Sequence, residues 1–245
     1  MFKIEPFDVK TRQPLPLPNG ELNSKKGLFV EWKGVHAELS PLEVLSSEKY
    51  EECLDELKQY EKLFENLSDT FNLDEAFFGQ KLPLPKNVSV LFCLESLLLC
   101  HQFQNEKITL PVNLMGTIES LAKMKVPHEK ELCLKVKVAK TSEKDEKMFL
   151  LSMPKNIKLR LDGNQKMQRP LPDYYRKLNL DYLEEPFTDI KSYQDMSLPF
   201  ALDENVLKWK EIENTQLKAL VVKPSVQLSL SGTYKLAKEA AKKNI

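Results

Sequence analysis

Apolar and polar positions alternate from Phe2 to Val9 and again across Gly27 to Glu38 (GLFVEWKGVHAE), the period of two expected of strands with one covered face. Between them LPLPNG has the residues of a turn-rich loop, so the pattern predicts a small antiparallel sheet with Phe29 in its core. The period then changes. Tyr50, Cys53, Leu54, Leu57, Tyr60, Phe64 and Leu67 recur at spacings of three and four, one apolar helical face that packs on the sheet while the charges opposite face water. A second short helical stretch and the proline-rich linker KLPLPKN lead to Val88–Gln104, which reads as a largely buried helix. Its apolar run is interrupted by Glu95 and falls well short of the roughly 20 residues a membrane span needs.

From Ile108 onward short apolar runs alternate with polar or helix-like stretches: LPVNLMG, ELCLKVKV, IKLRLDGN, LDYLEEP, LPFALDEN and LKALVVKPS. Six strands spaced by about 20 to 25 residues suit strand-crossover-strand units, which make parallel sheets. The expected division is an α+β unit over residues 1–105 and a (β/α) barrel-type unit over residues 106–245.

Composition narrows the chemistry. Lys and Arg number 36 and Asp and Glu 36, leaving no cationic excess to hold a phosphate backbone or an acidic membrane surface, so neither nucleic acid nor membrane is an expected partner. Seven glycines include neither a dinucleotide fingerprint nor a Walker A loop, which disfavours a nucleotide cofactor. Cys53, Cys93, Cys100 and Cys133 have no CxxC spacing and sit in apolar or helical runs, the usage of buried free thiols in a reducing cytoplasm. The N-terminus MFKIEPFDVK lacks the apolar centre of a signal peptide.

The layout that repeats is an apolar strand closed by an ionisable residue. Asp162 closes IKLRLD, Glu184 closes LDYLE, Asp203 closes LPFALD and Lys223 closes ALVVK. In parallel α/β folds the C-terminal edge of the sheet is where sites assemble. Any one of these acids alone is also what a solvated strand end or a helix N-cap looks like. Three carboxylates delivered to one edge repel one another unless a cation sits among them, and an all-oxygen donor set favours Mg²⁺ over zinc. Asn164 stands where it can orient Asp162, while Glu185 and Glu204, each one residue further on, point to the opposite face. One strand earlier, LKVKV puts Lys135 and Lys137 on a shared face. A lysine beside a divalent cation and another lysine is pushed to lower pKa, as a general base requires.

Taken together, KVKV, LRLDGN, YLEEP, ALDEN and VVKP resemble the enolase superfamily, and within it the muconate-lactonizing subgroup that includes o-succinylbenzoate synthases, dipeptide epimerases and N-succinylamino acid racemases. The resemblance extends over most of the chain and implies an α+β capping domain, with VHAELSPL as its recurrent strand and loop, on a (β/α) barrel. It implies Mg²⁺ held by Asp162, Glu184 and Asp203, Lys137 as an acid/base residue with Lys135 as its electrostatic neighbour, and Lys223 facing Lys137 across a small carboxylate substrate. The superfamily barrel has eight strands; this chain stops at Ile245 after the helix that would follow the sixth, so the expected barrel is incomplete by two units. The implied activity is a dehydration forming o-succinylbenzoate in menaquinone biosynthesis through a metal-stabilised enediolate. The alternatives are an N-succinylamino acid or dipeptide racemase, or a non-catalytic barrel acting as a binding protein. His36, His101 and His128 match no ligand or catalytic spacing and are assigned to surface or packing roles.

Overall fold

The computed structural model describes residues 1–17, 20–43, 46–68, 82–103, 106–107, 114–123 and 132–245. It divides into two compact units: residues 1–108 with 222–239, and residues 109–221 with 240–245.

In the first unit β1 (Phe2–Leu17), β2 (Gly20–Trp32) and β3 (Val35–Leu39) form an antiparallel sheet in chain order. The LPLPNG stretch expected to be a loop is mostly strand, with Leu15 paired to Leu22 and Leu17 to Gly20. β1 is an edge strand, so its prolines interrupt no ladder on the free side. The alternating run from Gly27 is itself split by a turn at Lys33 and Gly34, whose φ angles of 47° and 80° reverse the chain so that Trp32 pairs with Val35.

Leu28, Val30 and Trp32 face inward and are buried; Phe29, on the other face, is 51% exposed and stacks on Phe7 with centroids 4.6 Å apart. The expectation that Phe29 belongs to the core is thus reversed, because alternation reveals two faces but not which one is covered. Gly27 pairs with Phe7, and a Cβ there would meet the Phe7 ring at 2.3 Å.

The covered face packs against α1 (Tyr50–Glu65) through Cys53, Leu57, Tyr60 and Phe64, and against α2 (Val88–Gln102) through Val90, Leu94 and Leu97. Trp32 donates its indole N–H to the Phe64 carbonyl at 2.9 Å. The N-terminus of α2 has no side-chain cap of its own; Glu56 accepts from the amides of Lys86 and Asn87 at 2.7 and 3.0 Å. The expected helical stretch ahead of KLPLPKN lies outside the described residues.

α2 is apolar on every side, which suits full burial, and its one charge has a defined task. Glu95, 0% exposed, accepts from the amides of Leu230 and Ser231 at 2.7 and 3.2 Å and from the Ser229 hydroxyl at 3.4 Å. These groups begin α6 (Ser229–Ala241), where Ser229 has a φ of 62°. Residues 222–239, which the sequence assigns to the barrel-type unit, are joined to the first unit in this way. Replacing Glu95 by Ala removes the acceptor for two helix N-terminal amides and is expected to cost about 2 to 4 kcal/mol. A thermal unfolding midpoint lowered by about 5 to 10 °C would show it; a midpoint within about 1 °C of the parent would remove the role.

The second unit is a six-stranded, wholly parallel sheet in chain order: β4 (Leu114–Thr117), β5 (Leu132–Lys137), β6 (Ile157–Asp162), β7 (Leu180–Glu184), β8 (Phe200–Leu202) and β9 (Leu217–Leu220). The six predicted strands are all present, each ending within the run that announced it except β4, which ends at Thr117, one residue past LPVNLMG. α3 (Ile118–Ala122) and α4 (Glu143–Leu151) lie in the first two connections, but the next three hold 3₁₀ turns at Asp173–Lys177, Ile190–Tyr193 and Val206–Glu211. Pro170, Pro172, Pro186 and Pro199 limit α-helix within the first two of these three connections.

On one face Leu134, Val136, Leu159, Leu161, Leu183, Phe200 and Leu202 are buried; the intervening positions present Lys135, Lys137, Arg160 and Glu184 on the other. Arg160 is held to Asp181 at 2.8 Å and lies over the Tyr182 ring.

No helix among the described residues is long and apolar enough to cross a membrane. All four cysteines are free: Cys53 and Cys93 are buried, Cys133 is partly covered, and Cys100 is exposed, unlike the uniform burial expected of them. Burial pushes the Cys53 thiol up to about 11 and the Cys93 and Cys133 thiols in the same direction. Iodoacetamide at pH 8 is therefore expected to label Cys100 first and Cys133 more slowly, and to reach Cys53 and Cys93 only on unfolding. Early labelling of Cys93, followed by peptide mapping, would contradict this packing.

Candidate active site

The strand register of the second unit carries Thr117 beside Lys137, Lys137 beside Asp162, Asp162 beside Glu184 and Glu184 beside Ala201, one row across five strands at the C-terminal edge. Asp203 follows Ala201 by two residues, just beyond β8. Parallel register and period-two alternation thereby bring to one edge five of the six residues singled out in the sequence: Lys135, Lys137, Asp162, Glu184 and Asp203. Lys223 lies beyond β9, in the segment that belongs to the first unit. It is exposed and precedes α5 (Pro224–Gln227), its backbone N–H donating to Gln227 Oε1 at 2.7 Å.

All three carboxylates are buried, Glu184 most deeply at 1% exposure. The Lys135 ammonium bridges two of them, donating to Glu184 Oε1 at 2.5 Å and lying 3.2 Å from Asp162 Oδ2. Burial pushes the Glu184 carboxyl above the usual range. Lys135 pulls it down, but the charges of Asp162 and Asp203 push it further up.

The same contacts act on the lysine. Burial on its own would lower Lys135, yet the hydrogen bond and charge of Glu184, with Asp162, outweigh it and hold the ammonium above the ordinary lysine value. The lowered lysine pKa expected at this edge belongs to a lysine beside a bound divalent cation; in this structure the Lys135 ammonium faces two carboxylates instead. Lys137, one step further along the strand, makes no side-chain hydrogen bond or ion pair with any described residue.

Among the described residues no three His, Cys, Asp or Glu side chains are gathered into a ready cation cluster. Asp162 and Glu184 converge on the Lys135 ammonium, while Asp203 stands on the turn after β8. The donor chemistry nevertheless fits a hard divalent cation: three buried oxygen donors, no thiolate or imidazole, and one lysine paired with two of the acids.

The turns that follow the strands are built to hold these acids. Asn164 donates its side-chain amide to Asp162 Oδ1 at 2.6 Å and its backbone N–H to the same oxygen at 3.3 Å, with a φ of 44° that places it for both. Glu185, 0% exposed and itself at a φ of 39°, accepts from the Asp203 amide at 2.7 Å, the Asn205 amide at 3.3 Å, Gln165 Nε2 at 3.2 Å and the Tyr193 hydroxyl at 3.1 Å, as well as from the Asn205 side chain.

Glu185 thus ties the end of β7 to the turn that carries Asp203. Sequence reasoning placed Glu185 off the metal face but missed Asn205, although ALDEN repeats the acid-x-Asn spacing of LDGN. Glu204, between them, is exposed.

No family model matches the sequence, and no curated protein matches it. Solved structures do match its fold. An o-succinylbenzoate synthase from Thermosynechococcus elongatus BP-1 with Mg in its active site aligns over 100% of this chain and 81% of its own, at 16% identity and a TM-score of 0.64. A dipeptide epimerase from Enterococcus faecalis V583, complexed with Mg and the dipeptide L-Leu-L-Tyr, aligns over 100% of this chain and 79% of its own, at 14% identity and a TM-score of 0.70. A member of the enolase superfamily from Listeria innocua covers 100% of this chain and 76% of its own, at 19% identity and a TM-score of 0.70. The chain accordingly has the fold of these proteins: an antiparallel N-terminal sheet of the capping-domain type and a partial parallel barrel.

Proposed function

We propose that this chain is a cytoplasmic Mg²⁺-dependent enzyme of the enolase superfamily that abstracts the α-proton of a carboxylate substrate, and that its reaction is the dehydration forming o-succinylbenzoate in menaquinone biosynthesis. The observation that carries the reading is the hydrogen-bonded row of Lys137, Asp162 and Glu184, with Asp203 immediately beyond it. The likeness to o-succinylbenzoate synthase supports it in the choice of reaction.

In this reading Asp162, Glu184 and Asp203 hold Mg²⁺. The ion, when bound, supplies positive charge against the substrate carboxylate as negative charge develops there. Lys135, which bridges Asp162 and Glu184, adds positive charge beside the site. Lys137 is the amine that no described carboxylate claims. It removes the α-proton of a succinylated hydroxy-cyclohexadiene carboxylate and, in a syn elimination, returns that proton to the departing hydroxide as water. Lys223 supplies charge to the enediolate. Asn164 and Glu185 keep the acids in place.

The likeness to dipeptide epimerases keeps one competing reading, racemisation of an N-succinylamino acid or dipeptide, in which Lys223 delivers a proton on the face opposite to removal. Incubation with the cyclohexadiene substrate with and without Mg²⁺, followed by ultraviolet absorbance, tests the dehydration directly. Turnover that requires Mg²⁺ supports it. Turnover of a dipeptide epimer pair with none of the diene transfers the site to the second reading, and no turnover of either with Mg²⁺ bound leaves a binding protein.

A further inference from the structure

We propose that Glu146 is a positioning residue that fixes the loop after β5 and thereby aims the Lys137 amine; this rests on the reading of Lys137 as the base. Lys137 is the last residue of β5, and Val138 donates its N–H to the Asp162 carbonyl at 3.0 Å. The chain must then leave the sheet, and it does so through Ala139 at a φ of 56°, a left-handed conformation that residues with a Cβ adopt only when something holds them there. What holds it is the Glu146 side chain of α4, whose Oε2 accepts the Ala139 N–H at 2.8 Å.

Glu146 is 4% exposed and is itself fixed. Its Oε1 accepts from the Tyr174 hydroxyl at 2.8 Å and the Tyr175 hydroxyl at 2.5 Å, and the two rings pack edge to face with centroids 4.8 Å apart. Burial first, and then the bond to Glu146, pushes both hydroxyls up, so they remain donors. Two tyrosines from the connection after β6, one acid from α4 and one amide beside the catalytic strand thus form a closed set.

Glu146 makes no ion pair among the described residues, and its three partners are neutral donors. The set therefore works through shape and hydrogen bonding, and negative charge is not what it requires. A glutamine can keep the bond that matters for the loop, its amide oxygen accepting from Ala139, while its NH₂ donates to a tyrosine oxygen and the hydroxyls turn away from it. An alanine cannot, and it leaves the amide and two hydroxyls without an acceptor.

The experiment compares wild type, Glu146→Ala and Glu146→Gln by steady-state kinetics on the diene, Mg²⁺ titration calorimetry and amide hydrogen exchange. Glu146→Ala is expected to lower kcat about 10- to 100-fold with KM changed less than about threefold. Mg²⁺ affinity should be unchanged, and exchange should accelerate in the peptide spanning residues 138–140 but not in β6 to β8. Glu146→Gln should restore kcat to within about threefold of wild type and restore the protection. A kcat in Glu146→Ala within twofold of wild type, or a uniform loss of protection across the sheet with kcat and KM changing together, overturns the proposal. If wild type turns over no substrate, the reading of Lys137 fails on the kinetic arm. The exchange arm still decides the anchor, and unchanged protection at residues 138–140 in Glu146→Ala refutes it.

Discussion

Lys137→Ala is expected to abolish dehydration, with kcat falling by about 10² to 10⁴-fold, the range for removal of a positioned acid/base group. Lys137→Arg should be as inactive, because a guanidinium stays protonated at neutral pH and cannot take the α-proton. Lys223→Arg, which keeps the charge, should retain a measurable fraction of activity in an elimination but very little in a racemisation. Solvent-deuterium exchange at the α-carbon discriminates further. If exchange persists in Lys137→Ala but disappears when Lys223 is replaced, the roles of the two lysines are reversed. Lys135→Ala offers a control of another kind: its ammonium is locked between Glu184 and Asp162, so its loss should disturb both acids and weaken the site without removing the base.

Asp203→Asn is expected to lower Mg²⁺ affinity by at least about 100-fold, the upper end of what loss of a group merely supporting a ligand costs, with activity falling in parallel. The substitution leaves the Asp203 backbone bond to Glu185 intact, so the turn should survive and the loss should be one of charge and donor strength. Titration calorimetry with Mg²⁺ reads the affinity, and circular dichroism checks the fold. An unchanged affinity would remove Asp203 from the donor set and leave Asp162 and Glu184 as its remaining members.

The parallel sheet was legible because each of its strands is an apolar run bounded by polar residues, and because parallel pairing places successive strand ends at one level. Asp162 and Glu184 could be placed in one row with Lys137 for that reason. Local pattern failed where the deciding partner is distant in sequence. Phe29 alternates like a core residue, but its face is left uncovered. Lys135 and Lys137 read identically in LKVKV, and only the approach of Glu184 and Asp162 makes one a bridging ammonium. The buried acids Glu95, Glu146 and Glu185 all bind backbone amides, in partners 7 to 136 residues away along the chain, and no periodicity announces such bonds.

The bond between Glu95 and the start of α6 bears on the order in which the chain can fold as it is synthesised. Because the first unit takes in residues 222–239, it cannot be completed when residues 1–108 leave the ribosome, and residues 109–221 of the second unit must be made before the last piece arrives. Until then α2 holds a carboxylate in an apolar helix with none of the donors that α6 supplies. Closing so long a loop adds little entropic cost over a shorter one, since each doubling of length costs only about 0.6 kcal/mol. The penalty is one of time: while translation continues, the nascent first unit exposes the apolar surface around Glu95, which makes this stretch of synthesis the interval when a chaperone would matter most.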